Sequence, residues 1–233
     1  MSFDFLFQQV ASGEHATYLD WVFRGVFYTV ITSAVSFAMA MVLGMAMGVA
    51  RSRLGRFGAV SNGVFELVSA IPLMVMVFIT FQIVPMVFFP DLAKHMDFMI
   101  LTLSMGILGL SIFTGMRVSN HIYASINAIS DTQKSACKVL GFSDFQSYRL
   151  VILPQALKNS IPSLTGEFTS VVKNSSALSA IGLPEITKQI QNVIDNTSSI
   201  NEPFIIAFCV YVAICSVIIG SAKLLENHLG RTA

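Results

Sequence analysis

The sequence predicts an all-α integral membrane protein with five transmembrane helices and a long polar loop between spans 3 and 4. Three observations carry that expectation. Of 233 residues, 54% are hydrophobic and only 12% charged, about half the charged share of a soluble domain, and the mean hydropathy is +0.71. The charges are clustered: Gly25–Ala50, Leu67–Pro90, Phe98–Met116 and Pro203–Ala222 contain none. Each gap is near or above the ~20 residues that cross a ~30 Å hydrocarbon core. The basic residues, finally, alternate between sides of a membrane in a way that requires an odd number of crossings.

Residues 1–20 form an acidic head (Asp4, Glu14, Asp20) without the basic stretch that opens a secretory signal. The expected spans are 22–50, 60–88, 98–120, 161–183 and 203–224. Arg51, Arg53 and Arg56 follow the first; Lys134, Lys138, Arg149 and Lys158 occupy the loop 127–158; Lys223 and Arg231 follow the last. Positive charge marks the cytoplasmic side, so the N-terminus is expected outside and the C-terminus inside. The fourth span carries Glu167, Lys173 and Asn174 and is demanded by parity more than by apolarity. Pro72 and Pro85 predict a kink or re-entrant section in the second, with freed carbonyls satisfied inside the bundle. Ala40, Gly44 and Gly48 put small residues on one face of the first, where helices can pack closely. Tyr18, Trp21 and Tyr28 suit an outer aromatic belt.

The polar loop reads as two short helices. Ser130 with Gln133, and Ser143 with Gln146, have the spacing of capping boxes. Gly141 suits a left-handed turn after the first helix, and Pro154 bends or ends the second. Ala136, Val139 and Leu140 are expected on the outer face of the first; Phe145, Tyr148 and Ile152 on that of the second. Such faces suit a protein docking surface or an amphipathic pair lying on lipid headgroups.

Several stretches, in order along the chain, resemble the permeases of ABC importers for polar amino acids. "TQKSACKVLG…VILPQAL" is similar to their loop pattern GQ-x-E-A-A-x-x-x-G followed by L-P. Ala136, Gly141, Leu153 and Pro154 match it, while Thr132, Ser135 and Cys137 depart from it. "KNSSALSAIGLPEI" (Lys173 to Ile186) resembles K-[DN]-[TS]-S-x-x-S-x-I-G-[LV]-x-[ED]-[LM], and "ATYLDWVFRGVFYTV" and "GLSIFTGMRVSNHIYASI" look like glutamate/aspartate-type members. Ser69-Ala70 stands where the family usually has Arg-Asn. The resemblance implies a cytoplasmic coupling-helix loop that docks in a cleft of a separate ATPase through Ser135, Ala136, Cys137, Lys138, Gly141, Phe142, Ser143, Leu153 and Pro154. It also implies a second permease (another copy or a paralogue), an extracytoplasmic solute-binding protein and a bacterial inner membrane. No Lys follows a Gly anywhere, so the phosphate-binding G-x-x-x-x-G-K-[ST] is absent and ATP chemistry belongs to another chain.

Ionisable residues at membrane depth are costly and point to function. An amino acid needs an acceptor for its ammonium and a donor for its carboxylate. Glu167 suits the first role, and Arg117 suits the second by bidentate pairing. Ser170 and Asn174 share the helical face of Glu167. The alternatives are a structural ion pair, Arg117 snorkelling to the cytoplasm, Lys173 tying helices together and Glu66 sitting at the interface. No cofactor or metal is expected: the three cysteines lack metal or redox spacing. His15, His95, His121 and His228 are scattered, with no H-E-x-x-H or G-x-S-x-G. A net charge of +1 argues against nucleic acid as a partner. A secondary transporter remains the alternative; it would show internal repeats and paired broken helices.

Overall fold

A computed structural model describes residues 3–10, 16–53, 55–197 and 199–230, with only the backbone for 225–230. Glu14, His15, Arg231 and the side chain of His228 lie outside the described residues. Eleven α-helices are described: α1 (Tyr18–Arg51), α2 (Arg56–Ser69), α3 (Leu73–Phe78), α4 (Val84–Phe88), α5 (Pro90–His95), α6 (Phe98–Asn127), α7 (Asp131–Val139), α8 (Asp144–Ser147), α9 (Leu153–Asn174), α10 (Ile186–Thr197) and α11 (Asn201–Gly230). Among the described residues α1, α6 and α11 are each long and apolar enough to cross a membrane, and α2 with the α3–α4 stretch qualifies as one broken span. The weakest expected span is helical, as α9, but too polar to qualify by composition.

Two π turns share one cause. Ile79–Ile83 leads into Pro85 and Tyr148–Ile152 leads into Pro154, and in each the residue before the proline donates five back, Val84 N to Ile79 O and Leu153 N to Tyr148 O. A proline lacks the N–H and its ring clashes with the carbonyl four back; widening the helix by one residue makes room for it. This changes the expectation for Pro154. The helix neither ends nor restarts there, and α8, the π turn and α9 run on from Asp144 to Asn174. At Pro72, by contrast, the chain does break between α2 and α3.

The chain divides into two compact units. One contains Met1–Ser36, Leu73–Leu110 and Thr169–Gly220; the other Phe37–Pro72, Ser111–Phe168 and Ser221–Ala233. In the first unit α10 is the organising element. Ile186 and Ile190 pack with Val22, and Val193 packs with Phe5, Val10 and Tyr18. This helix lies between the fourth and fifth expected spans. The repeat Ile186, Ile190, Val193 at i, i+4, i+7 gives one apolar helical face.

The second unit is built on a seam between α1 and α6. A Cβ at Gly44 would stand 2.5 Å from Val118 Cγ1, and one at Gly48 would stand 2.9 Å from Ile122 Cβ, so only glycine lets the backbones approach this closely. Ala40 is fully buried. Val118, Ile122, Ile126 and Ile129 then meet Ile152 from the π turn and Ala156 and Leu164 from α9. At its C-terminal end α1 is pinned by Arg51. That guanidinium lies 3.4 Å from the ring centre of Phe65 and 4.4 Å from that of Tyr123. It donates to Asn62 Oδ1 at 3.0 Å and Ser119 Oγ at 3.2 Å, so a buried cation keeps two polar partners and two aromatic faces.

Candidate functional site

Two of the four expected substrate residues meet inside the second unit. Arg117, on α6, donates from Nε to Glu167 Oε2 at 2.7 Å and from Nη2 to Oε1 at 3.0 Å. This is the bidentate geometry that makes a charge-assisted pair strong. His121, one turn further along α6, places Nε2 3.1 Å from Oε1. A carboxylate only accepts, so His121 donates here. The Glu167 side chain is 7% exposed against 50% for that of Arg117, and Phe168 stacks on Phe37 at 4.5 Å beside it. These residues line a cavity of about 270 Å³ with Phe65, Ser69, Met116 and Asn120.

The division of labour differs from the sequence expectation. Glu167 is already engaged, Oε2 by Arg117 and Oε1 by Arg117 and His121. Arg117 keeps capacity to spare: a guanidinium has five N–H donors, and Glu167 uses two. Arg117 therefore remains the group that can receive a carboxylate, with Glu167 holding it in place. His121 was passed over as one of four scattered histidines, yet its spacing of four from Arg117 puts it on the same helical face. Ser170 and Asn174 are half-buried and belong to the first unit. Glu66 is exposed near the end of α2.

The expected coupling residues form a well-capped hairpin in the second unit. Ser130 Oγ accepts from Gln133 N, and Ser143 and Gln146 complete a reciprocal capping box. Gly141 adopts φ +77°, and Gly141 N and Phe142 N donate to the carbonyls of Lys138 and Cys137, closing the first helix as a left-handed glycine does. Ser135, Ala136, Lys138, Gly141, Ser143 and Pro154 are exposed, Phe142 and Leu153 half-buried, and Cys137 buried. Val139, Leu140 and Phe145 are 87%, 71% and 64% exposed. Tyr148 and Ile152 depart from the expected outer face. Ile152 is a buried core residue with Tyr148 packed against the same cluster.

In the first unit Lys173 lines a groove of about 410 Å³ with Thr169, Phe208, Tyr211, Val212, Cys215 and Ile219. No ion pair to its ammonium is present among the described residues. No group of three or more potential metal ligands occurs among them either.

Residues 40–231 match the family described as "Binding-protein-dependent transport system inner membrane component". The chain is 29% identical over 233 residues to the glutamate/aspartate import permease protein GltJ of Escherichia coli K12, covering 96% of this chain and 93% of that one. It is 35% identical over 124 residues to a putative glutamine transport system permease protein GlnP of Rickettsia bellii, covering 53% and 57%. Among solved structures, an amino acid ABC transporter crystallised with histidines superposes with a TM-score of 0.76 at 23% identity, over 91% of this chain and 95% of that one. The inward-facing MetNI methionine ABC transporter gives 0.73 at 17%, over 90% and 96%; at these identities the likeness shows the fold. With four-fifths of its length matched and no phosphate-binding loop of its own, this chain belongs to the inner-membrane permease components of binding-protein-dependent transport systems.

Proposed function

We propose that the chain is the permease subunit of an ATP-driven importer for an acidic amino acid. The observation that carries the substrate class is the Arg117 guanidinium. It is held by Glu167 at 2.7 and 3.0 Å and half open toward a cavity. A substrate carboxylate would use its remaining donors, with Asn120, Ser69 and His121 around it. The likeness to a glutamate/aspartate import permease along nearly the whole chain supports the same class. The rest of the reading has five spans with the N-terminus outside and the C-terminus inside, and access to the cavity alternating between the two faces. ATPase subunits dock on the exposed faces of α7 and α8. A second permease and an extracytoplasmic solute-binding protein complete the assembly. Ser170 and Asn174 follow Glu167 on the same helix and are the further substrate contacts of this reading.

The test is to express the chain with its genomic neighbours, purify it by a tag and reconstitute what copurifies in proteoliposomes. ATP-dependent uptake of glutamate or aspartate in preference to glutamine is the expected result, with the preference lost in Arg117→Gln. A chain that purifies alone and moves solute without ATP is a secondary transporter, and uptake that favours neutral or basic amino acids overturns the acidic substrate class, leaving Arg117 at most a receptor for the carboxylate that all amino acids share.

A further inference from the structure

On the helix that leads from the docking hairpin to Glu167, Tyr148 meets Ser52, the residue that follows α1. Tyr148 opens the π turn. Its hydroxyl lies 3.1 Å from Ser52 Oγ, and the Arg53 guanidinium lies 5.2 Å from its ring centre. The proton can be assigned. Ser52 Oγ spends its single O–H on Val49 O at 2.8 Å, so it can only accept from Tyr148. Ser52 is itself a fixed post, because the preceding residue is Arg51, clamped between Phe65 and Tyr123 and bonded to Asn62 and Ser119.

Beyond Tyr148 the chain is helical without a break to Glu167, nineteen residues or about 28 Å at the helical rise. Before it stand the exposed Val139, Leu140 and Phe145. A displacement imposed on that hairpin meets the π turn first. A π turn widened for a proline is a place where a helix gives. Without a brace at that level, motion would bend the turn and leave Glu167 where it was.

We propose that Tyr148 is the positioning residue of coupling: its hydrogen bond to Ser52 braces the π turn against α1, so that movement of the docking hairpin is delivered along the helix to the Arg117–Glu167 pair. The proposal rests on the reading that an ATPase docks on α7 and α8. It adds the point at which the permease turns that docking into movement of the cavity.

Tyr148→Phe keeps the ring in the core and removes only the O–H; Ser52→Ala removes the acceptor, and Ser52→Thr keeps it. In proteoliposomes holding the whole transporter, Tyr148→Phe and Ser52→Ala are each expected to raise the ATP hydrolysed per substrate imported by roughly three- to tenfold, the range set by one ordinary hydrogen bond. The double variant is expected to be no worse than either single one, and Ser52→Thr to stay near the parent. A second readout needs no ATPase. Cys137 is buried in α7, and in the permease alone its alkylation, followed by peptide mapping to set aside Cys209 and Cys215, is expected to quicken several-fold in Tyr148→Phe. Unchanged alkylation shows that no brace exists. Faster alkylation with an unchanged ATP-to-substrate ratio, or a variant that no longer retains the ATPase, overturns the coupling role. Failure of the parent to copurify with any ATPase strikes the docking reading instead, while the thiol readout still decides the brace.

Discussion

Glu167 and Glu185 are both buried carboxylates, and their surroundings differ in kind. Glu167 is met by cations: Arg117 grips both oxygens and His121 adds a third bond. Glu185 is fully buried and is met by neutral dipoles. The N–H groups of Thr187 and Lys188 donate to it at 3.0 and 2.8 Å, and the Tyr211 hydroxyl donates at 3.0 Å. It stands just before α10, where orphan N–H groups and the helix dipole favour an acceptor. Buried charge is tolerated when paired, and otherwise the group tends to neutralise. The pair at Glu167 can exchange partners with an incoming anion. Among the described residues no cation meets Glu185, and its cluster fixes α10 to α11. Burial alone does not decide what a carboxylate can do; the charge of its neighbours does.

The sharpest way to break this contrast is to remove the cation from the first site. Arg117→Ala leaves Glu167 with only His121 in a 7% exposed position. Losing one partner of a buried pair costs about 3–5 kcal/mol, and the half-exposed Arg117 places the loss at the lower end. At about 2–4 °C per kcal/mol for a chain of this size, differential scanning fluorimetry in detergent should show a fall of roughly 6–12 °C, with import abolished. Arg117→Ala combined with Glu167→Gln removes the stranded charge, and should recover much of the stability and none of the transport. A single variant as stable as the parent would mean that Glu167, like Glu185, needs no cation.

Much of this was legible along the chain, and the failures have physical causes. Capping signals and left-handed glycines act over three or four residues, so Ser130, Ser143 and Gly141 could be read directly. The close seam at Gly44 and Gly48 followed from spacing, and Arg117 with Glu167 from the rarity of charge at depth. What composition left open was partnership: an ion pair was one of the alternatives, and fifty residues of separation leave no local signal that Arg117 and Glu167 are its members. Tyr148, which opens the π turn, is half-buried by its bond to Ser52 and the cluster it packs against, whereas Ile152 leaves the expected face because the π turn inserts a residue into the 3.6-residue repeat. Side chains after it no longer share the face of Phe145. Helix α10 is masked by Lys188 and Asp195, whose charges interrupt the stripe of Ile186, Ile190 and Val193 that buries it.

The second contrast is in pH dependence. Glu185 lies beyond the fourth expected span, and burial pushes its pKa from 4.5 up to about 7, against the opposing hydrogen bonds of Thr187, Lys188 and Tyr211. A carboxyl whose folded pKa exceeds its unfolded one binds its proton more tightly in the folded state. Its contribution is therefore full below about pH 4.5 and is lost as the pH rises through about 7. The loss is roughly 3 kcal/mol at 1.36 kcal/mol per unit. Melting measured from pH 5 to pH 8.5 should fall with rising pH in the parent and run flatter in Glu185→Gln. Parallel profiles would show that the neutral donors hold Glu185 ionised throughout, making it a closer relative of Glu167 than its neighbours suggest.

The smallest expected effect separates the two donors at Glu167. His121 Nε2 shares Oε1 with Arg117 Nη2, so deleting the imidazole leaves that oxygen still bonded, and no buried acceptor is stranded. His121→Ala should cost about 1 kcal/mol, the net worth of one hydrogen bond, or roughly 2–4 °C in melting. His121→Gln, which keeps a donor, should sit between it and the parent. The informative readout is affinity. His121 lines the cavity beside Arg117 and helps fix the carboxylate that orients the guanidinium. His121→Ala should therefore raise the KM for an acidic substrate by a few-fold, about what one hydrogen bond supports, and leave the maximal rate near the parent's. If the maximal rate falls while KM holds, His121 acts on the movement of the Arg117–Glu167 pair instead of on its aim. The cationic site would then be a moving part of the transport cycle as well as a receptor.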